Sequence, residues 1–541
     1  QNDRLDEAVA LYREILNEKP DHADALHLSG LVAFQRGDNS TALEQVDEAI
    51  RSDAKIANYH ANKARILRAL GESANAVDAA RAALVLEPNN AETLSELSGA
   101  LLELDQSSEA LTAAVSALKV DPELTAAKHN LALAHFAEGR RTQDAGELDR
   151  AEAHYSAVLQ LNPGMVEALA NLANIFRARH RLGDALACYE VAVAKSDNVP
   201  EIWGNLGVVR QEMGDTALAI ACYDKALASL PDNPEIRRNR AQALLKLGQF
   251  KEGWQEFEWR WQTMHFAGIR REWTKPTWDG RELQGETVLV HAEQGFGDTL
   301  QFARYLPMVA NLGARVIVEC PKFIAELVAG VNGVNSVVLY GEALPPFDFQ
   351  VAMMSLPGVF RTGFDNMPSN VPYLSVPERV EAVWRNRLAA TADQCRVGLV
   401  WKGSSAHQRN EWRSPGLAVF KRLTERPDIR LFSLQKDDEA GDIADAGLAD
   451  AITPLGESLK NFSDTAAVIL NLDLVISPDT AVAHLAGALG KPVWLILPYA
   501  CEWRWFEGRD DSPWYPSMRL FRQPELDDWD GAVDAIFTAL D

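Results

Sequence analysis

Cysteine is scarce in this sequence, and long apolar runs are missing. The 541 residues include only five cysteines, which lie far apart and never form a CxxC motif. An odd, scattered set of this kind indicates neither a disulfide framework nor a zinc site, and it favours a reducing, cytoplasmic compartment. The longest apolar stretches, such as residues 492–497, are far shorter than the roughly 18 residues that span a bilayer. We therefore expect buried strands and no membrane span.

Positive charge is also in short supply. Lysine and arginine total 53 against 77 aspartates and glutamates, which gives a formal net charge of −24 at pH 7. A surface of this sign repels phosphate backbones, so nucleic acid is not expected as a partner. Because a domain typically takes about 150 residues, the chain is expected to form three or four packed domains.

The first half contains an internal repeat of 34 residues, broken by one step of 41. Small residues mark the repeat and let paired helices approach closely; they are Ala8, Ala42, Ala76, Ala110, Ala151, Ala185, Ala219 and Gly253. Prolines follow twelve residues after most of these marks and end the second helix of each pair. The longer step predicts either extended helices or a looped-out insertion near residues 138–148.

One stretch carries the full pattern of a known repeat family. It contains Trp203, Leu206, Gly207, Ala219, Tyr223, Ala226 and Pro231. This stretch resembles the tetratricopeptide repeat, and the resemblance implies a helix–turn–helix superhelix over residues 1–262 with about seven repeats. Because Gln1 falls inside a repeat, we expect the first repeat to be truncated.

Asparagine recurs at one position of the repeat, where Glu96 is the one interruption. The residues are Asn62, Asn130, Asn171, Asn205 and Asn239. In the family this position faces the concave groove, where a carboxamide both donates to and accepts from an extended peptide. The series resembles the asparagine ladder of eukaryotic O-GlcNAc transferase and predicts peptide binding. The alternative is that asparagine is simply common at this consensus position.

An aromatic connector is expected over residues 263–285. Four tryptophans crowd into twenty residues at the end of the repeats: Trp254, Trp259, Trp261 and Trp273. They would otherwise expose an apolar repeat face, so we expect them to be buried against the next domain. The letters EWRW occur at Glu258 and again at Glu502, and the sequence alone does not explain that recurrence.

The second half alternates short apolar strands with helices, which predicts parallel sheets with ligands at the carboxyl ends of the strands. We expect one Rossmann-like lobe at residues 286–378 and another at residues 379–541. Gly295 and Gly297 follow the first strand as in a dinucleotide-binding turn. The third glycine of that motif is replaced by Leu300, so NAD or FAD binding is not favoured.

Two segments of this half resemble a second family. Residues 291–300 (HAEQGFGDTL) and 477–492 (SPDTAVAHLAGALGKP) look like the signatures of the glycosyltransferase family that includes bacterial heptosyltransferases, which have GT-B architecture. With the repeats, the chain resembles bacterial tetratricopeptide-repeat glycosyltransferases, among them those that modify flagellin. The resemblance implies an α + α/β protein whose first lobe binds the acceptor and whose second binds a nucleotide-sugar. It also implies inversion at the anomeric carbon.

Asp298 matches the catalytic base of the heptosyltransferase pattern, and the alternative is a helix cap. The predicted donor-binding residues are Gly295, Gly297, Lys402, Arg413, Gln435, Asp479, Thr480, His484 and Arg504. Among them Thr480 and His484 are expected at the phosphates, Lys402 and Arg504 at the leaving group, and Gln435 at the nucleobase. The alternatives are that His484 is a hydrogen-bonded core histidine, that Lys402 is a surface lysine and that Arg504 only packs.

The sequence has no acidic DxD pair on a suitable loop, and residues 437–439 resemble a solvated charge run, so neither a metal nor another cofactor is expected. We predict a metal-independent protein O-glycosyltransferase that modifies serine or threonine. If the acceptor is flagellin, the resemblance implies a CMP-linked nonulosonic acid as donor. Two alternatives stay open: a transferase acting on a lipid-linked or polysaccharide acceptor, and a non-catalytic scaffold.

Overall fold

The computed structural model describes residues 2–388, 394–404, 410–436 and 439–541. The chain divides into two compact units, Gln1–Ile202 and Trp203–Asp541. No described helix is both long enough and apolar enough to cross a membrane.

The first unit is a series of helical repeats. Consecutive helices pack in pairs, and the small residues that mark the repeat, such as Ala42 and Ala110, are fully buried at their contacts. The described helices are α1 (Asn2–Glu18), α2 (Ala23–Gln35), α3 (Asn39–Ser52), α4 (Ala57–Ala69), α5 (Ser73–Leu86), α6 (Ala91–Glu103), α7 (Ser107–Val120), α8 (Thr125–Asp144), α9 (Leu148–Leu161), α10 (Val166–Ala178) and α11 (Leu182–Lys195).

Helix α8 accounts for the long step in the repeat. It has 20 residues, whereas the equivalent helix of the preceding repeat, α6, has 13. The seven additional residues therefore extend a helix by about two turns, which confirms the first of the two alternatives.

The repeats continue into the second unit. Their helices are α12 (Pro200–Glu212), which begins before the boundary, α13 (Thr216–Ser229), α14 (Pro234–Lys246) and α15 (Phe250–Phe257). Two short 3-10 segments follow, Glu258–Gln262 and Met264–Phe266. The compact units thus divide at residue 202, about sixty residues before the end of the repeats, because α14 and α15 share one apolar core with the α/β region.

Of the four tryptophans near the end of the repeats, Trp254 is buried as expected, whereas Trp259, Trp261 and Trp273 are only half-buried. Trp254 is 5% exposed, donates from its indole to the Thr362 carbonyl at 2.9 Å, and meets Trp503 edge-to-face. Trp273 stacks on His291 at 4.8 Å between ring centroids. These contacts join the last repeat helices and the connector to both halves of the α/β region.

Two parallel sheets form the rest of the second unit. The first has strand order β3-β2-β1-β4 and the second β10-β9-β8-β5-β6-β7. The strands are β1 (Thr287–His291), β2 (Arg315–Cys320), β3 (Val334–Leu339), β4 (Phe349–Ala352), β5 (Cys395–Leu399), β6 (Ile429–Ser433), β7 (Ile452–Pro454), β8 (Leu474–Ser477), β9 (Val493–Leu497) and β10 (Met518–Arg522). Strand order reverses beside β1 in one sheet and beside β5 in the other, so ligands are expected at the carboxyl ends of these strands.

Short helices connect the strands. They are α16 (Phe296–Phe302), α17 (Leu306–Asn311), α18 (Ala325–Ala329), α19 (Leu356–Val359), α20 (Glu378–Leu388), α21 (Asn410–Arg413), α22 (Glu439–Asp445), α23 (Phe462–Leu470), α24 (Ala481–Ala488) and α25 (Trp529–Leu540). Helices α16 and α17 are joined by a 3-10 turn, and Pro307 stands in the first turn of α17, where a missing N–H costs nothing.

Candidate functional site

Asp298 lies in the first turn of α16, directly after the carboxyl end of β1. Its Oδ2 accepts a hydrogen bond from the Gly295 amide at 3.0 Å, which closes a cap at the helix start. The side chain is 18% exposed. The capping interpretation of Asp298 is therefore correct as far as one oxygen is concerned.

The second oxygen of Asp298 is held by Arg504. This arginine belongs to a 3-10 segment (Trp503–Trp505) after β9, and its Nη2 forms an ion pair with Asp298 Oδ1. Its Nε donates to Gln301 Oε1 at 2.8 Å and its Nη1 to Glu502 Oε2 at 2.9 Å. The buried guanidinium of Arg504, in the second lobe, thus contacts Asp298, the predicted base in the first lobe.

Helix α24 begins opposite α16. A Cβ added to Gly297 would lie 3.0 Å from His484 Cδ2 and 3.5 Å from Ala481 Cα, so the first turns of the two helices are in close contact. Thr480 is the N-cap of α24, and its hydroxyl shares a 2.9 Å hydrogen bond with Ser477. The approach of the two lobes at this point depends on the absence of a side chain at Gly297.

His484 connects Asp479 to Tyr515 inside this contact. Its Nδ1 lies 2.9 Å from the Tyr515 hydroxyl and its Nε2 lies 3.5 Å from Asp479 Oδ1. Burial alone would raise the pKa of Asp479, but the hydrogen bond and charge of His484, with the charge of Arg504, bring that pKa below its usual value. The imidazole is 4% exposed, so in this structure it occupies the position of a hydrogen-bonded core histidine.

Lys402 and Gln435 lie at the carboxyl ends of β5 and β6. Gln435 is 5% exposed, and its Oε1 accepts from the amides of Trp401 at 3.3 Å and Lys402 at 3.2 Å. The Lys402 ammonium lies 2.5 Å from Asp442 Oδ2. In this structure Gln435 therefore supports the loop after β5, and Lys402 is paired within its own lobe.

Arg413 lies against Gly403 on the loop after β5. A Cβ at Gly403 would come within 2.5 Å of Arg413 Nη2, so the glycine makes room for the guanidinium. Within the described part of the chain, Arg413 Nε is buried without a hydrogen-bond partner. This unpaired N–H group fits the role predicted for Arg413, which is to help bind the nucleotide-sugar.

The five asparagines of the repeat series differ in burial and in hydrogen bonding. Asn62 and Asn130 are 8% and 7% exposed; Asn62 lies 3.0 Å from the His27 ring nitrogen and Asn130 donates to the Ser95 carbonyl at 2.8 Å. Asn171, Asn205 and Asn239 are half-buried. Asn171 also bonds to the preceding repeat, since it donates to the Tyr155 hydroxyl at 3.2 Å. Asn171, Asn205 and Asn239 all keep some exposed surface. Peptide binding by this series stays a prediction.

The structure explains the recurrence of EWRW. In each copy a glutamate bonds the arginine two residues later, Glu258 to Arg260 at 2.8 Å and Glu502 to Arg504 at 2.9 Å. Both arginines then grip carboxylates of the segment after β1: Arg260 bonds Glu293 at 2.9 and 3.0 Å, and Arg504 bonds Asp298. The two motifs therefore both brace the segment after β1, which sequence reasoning missed although the repeated letters signalled it.

No group of three potential metal ligands occurs among the residues that the structure describes. Asp437 and Asp438 of the acidic run lie outside those residues.

Replacing Gly297 with alanine is expected to reduce catalysis while the protein stays folded. The new methyl group would press on His484, which Asp479 and Tyr515 hold in place, and would force a shift of a few tenths of an ångström. Since a 1 Å misplacement can cost about a hundredfold in rate, we expect a smaller loss than that. Gly268→Ala is the control, because nothing lies within 4 Å of a Cβ there. Equal kcat for the two variants would contradict this role of Gly297.

Comparison with known proteins agrees with both halves of the fold. Residues 403–496 match glycosyltransferase family 9 (heptosyltransferase), a range that includes Asp479, Thr480 and His484. Residues 1–54, 27–91, 142–206 and 205–257 match tetratricopeptide repeat families.

The individual proteins that are similar to this chain share low sequence identity with it. Protein FlbA of Caulobacter vibrioides is 24% identical over 447 residues, which covers 72% of this chain and 74% of that protein. A DnaJ homolog subfamily C member 7 homolog from Schizosaccharomyces pombe is 29% identical over 28% of this chain and 37% of its own length. The crystal structure of YrrB, a TPR protein with an unusual peptide-binding site, covers 35% of this chain and 93% of its own at 19% identity and a TM-score of 0.30. The chain therefore combines tetratricopeptide repeats with a heptosyltransferase-type glycosyltransferase domain.

Proposed function

We propose that the protein is a cytoplasmic, metal-independent O-glycosyltransferase that moves a sugar from a nucleotide to a serine or threonine of a polypeptide. The observation that carries this proposal is the contact of Asp298 with Arg504 beside the start of α24. A base from one lobe and an anion-binding helix start from the other are the parts that glycosyl transfer needs.

The donor phosphate is proposed to bind at the start of α24. Free backbone N–H groups and the helix dipole favour an anion there, and Thr480 supplies a hydroxyl. Arg413 and Arg504 add positive charge from the same lobe. Because the repeats and transferase half resemble flagellin-modifying enzymes, we propose flagellin as acceptor and a CMP-linked nonulosonic acid as donor.

The proposed reaction is a single displacement with inversion. Asp298 takes the proton of the acceptor hydroxyl, the hydroxyl oxygen bonds to the anomeric carbon, and the bond from that carbon to the nucleotide phosphate breaks. Both oxygens of Asp298 have partners in this structure. We therefore propose that the phosphate of the bound nucleotide-sugar provides a second anion for Arg504 and draws it away from Asp298 Oδ1. This oxygen then becomes free to accept the proton.

The repeats are proposed to hold the polypeptide. Tetratricopeptide arrays commonly act as docking surfaces, and within the second unit the exposed parts of Asn205 and Asn239 offer carboxamides for an extended chain.

The proposal is tested by incubating the full chain with a CMP-nonulosonic acid and purified flagellin, and by locating the added mass on the protein. Modified serine or threonine is expected. Transfer to a lipid-linked or polysaccharide acceptor but not to flagellin would overturn the proposed acceptor, and no turnover of any nucleotide-sugar would favour a scaffold.

Nucleotide binding is expected to raise the melting temperature. A ligand present at a hundred times its Kd stabilises the native state by about 2.7 kcal/mol, and CMP is expected to exceed UDP, GDP and ADP in a thermal-shift panel. Thr480→Val should reduce the shift because it removes a hydroxyl at the start of α24. An unchanged melting temperature with every nucleotide would argue against a donor site.

A further inference from the structure

A small cavity lies between the last repeat helices and the two lobes, and all of its walls belong to the second unit. It has a volume of about 80 Å³. Its lining includes Arg238 and Gln242 of α14, Gln294 of the loop after β1, and Glu502 and Arg504 of the second lobe. We call it the α14 cavity. Because Arg504 is both part of its wall and the ion-pair partner of Asp298, the cavity adjoins the proposed catalytic base.

Three of its side chains have hydrogen-bonding capacity that the protein leaves unused. Arg238 Nε is buried without a partner among the described residues, and the nearest carboxylate, that of Glu235, is 3.7 Å from Nη2. Gln242 and Gln294 are half-buried, and their carboxamides form no hydrogen bond within the described ranges. A buried unsatisfied donor beside a cavity, such as Arg238 Nε, indicates a ligand that completes it.

The lining selects a particular chemistry. A carboxamide offers one donor and one acceptor side by side, which matches the N–H and C=O of a peptide group, and an arginine adds a donor for the carbonyl.

We propose that the α14 cavity is the acceptor subsite, in which Arg238, Gln242 and Gln294 hold a backbone peptide group next to the serine or threonine that receives the sugar. This inference rests on the proposed function and adds the feature of the acceptor that is recognised. A main-chain contact one residue away from the serine or threonine would place its hydroxyl near Asp298. Such a contact does not require a particular neighbouring side chain. Helix α14 then belongs to the transferase site as well as to the array.

The test uses the full chain with the CMP-nonulosonic acid as donor and purified flagellin as acceptor. Gln242→Ala and Arg238→Gln are expected to raise the KM for flagellin about fivefold to tenfold each, as the loss of one hydrogen bond implies, while kcat changes much less. Gln249→Ala, an exposed glutamine just beyond α14, is the matched control and is expected to keep the wild-type KM. Melting temperatures within about 1 °C of the wild type are the folding check.

A wild-type KM in both cavity variants, with transfer intact, would overturn the subsite and leave the proposed function standing. A fall in kcat with unchanged KM would also overturn it, because the residues would then act on the reaction rather than on the acceptor. If the wild-type chain transfers no sugar to flagellin under any condition, the proposed function fails, and the subsite fails with it.

Discussion

Replacing Asp298 with asparagine is expected to lower kcat for glycosyl transfer by about a hundredfold to ten-thousandfold, the usual contribution of a general base. Asparagine has nearly the same shape, and its carbonyl oxygen still accepts the hydrogen bond from the Gly295 amide. It cannot take up the proton of the acceptor hydroxyl at neutral pH. The cap of α16 is therefore kept, whereas the ion pair with Arg504 is lost together with the proton acceptor.

Initial rates with saturating donor and flagellin measure this effect, and nucleotide-induced melting shifts show whether the donor still binds. Asp528→Asn is the matched control, because Asp528 caps α25 through the Gly531 amide at 2.9 Å. It changes an aspartate cap without touching the proposed site. If Asp298→Asn keeps the activity of this control, Asp298 is a structural cap and another group must remove the proton.

Local patterns in the sequence predicted most of the fold. Strands β1 and β2 occur at the expected residues because a short apolar run with a turn on either side is a local signal. The repeats are equally local, since each small residue reports contact with a neighbouring helix. The lengthened α8 could not be distinguished from a loop, because the step of 41 gives the number of added residues and not their conformation.

The site was predicted only in part, because its contacts join distant residues. Arg504 and Asp298 are 206 positions apart, and neither segment contains a local pattern that predicts their contact. The sequence placed Arg504 at the donor phosphate, whereas in the structure it pairs with Asp298. His484 was expected to face a phosphate, yet its two ring nitrogens are directed at Asp479 and Tyr515. Periodicity identified the helix starts but not the partners of the side chains on them.

Arg260 is the structural counterpart of Arg504, and its replacement is expected to have the largest effect on stability. It is fully buried and bonds Glu293 with two nitrogens, Glu258 at 2.8 Å and Ser355 at 2.7 Å. The Glu293 side chain is 2% exposed, so removing Arg260 leaves an uncompensated carboxylate. Breaking a buried pair in this way costs about 3–5 kcal/mol.

Arg260→Met is therefore expected to lower the melting temperature by about 5 °C or more. Arg281→Met is the control, because its partner Asp279 is exposed and such surface pairs contribute about 1 kcal/mol or less. In the double variant Arg260→Met with Glu293→Gln, the stranded charge is gone and part of the stability should return. A double variant no more stable than Arg260→Met would mean that lost packing, not the charge of Glu293, causes the defect.

The pH dependence of the defect distinguishes charge from packing. Burial raises the pKa of Glu293 even though Arg260 opposes the shift, and removing Arg260 must raise that pKa further. A carboxyl whose pKa is raised by folding favours the native state when protonated, and this contribution is lost as the pH rises through the raised value. The gap in melting temperature between Arg260→Met and the wild type should therefore be wider at pH 8 than at pH 5. A gap independent of pH would show that removing Arg260 leaves the protonation of Glu293 in the folded state unchanged, and the brace would then act through packing alone.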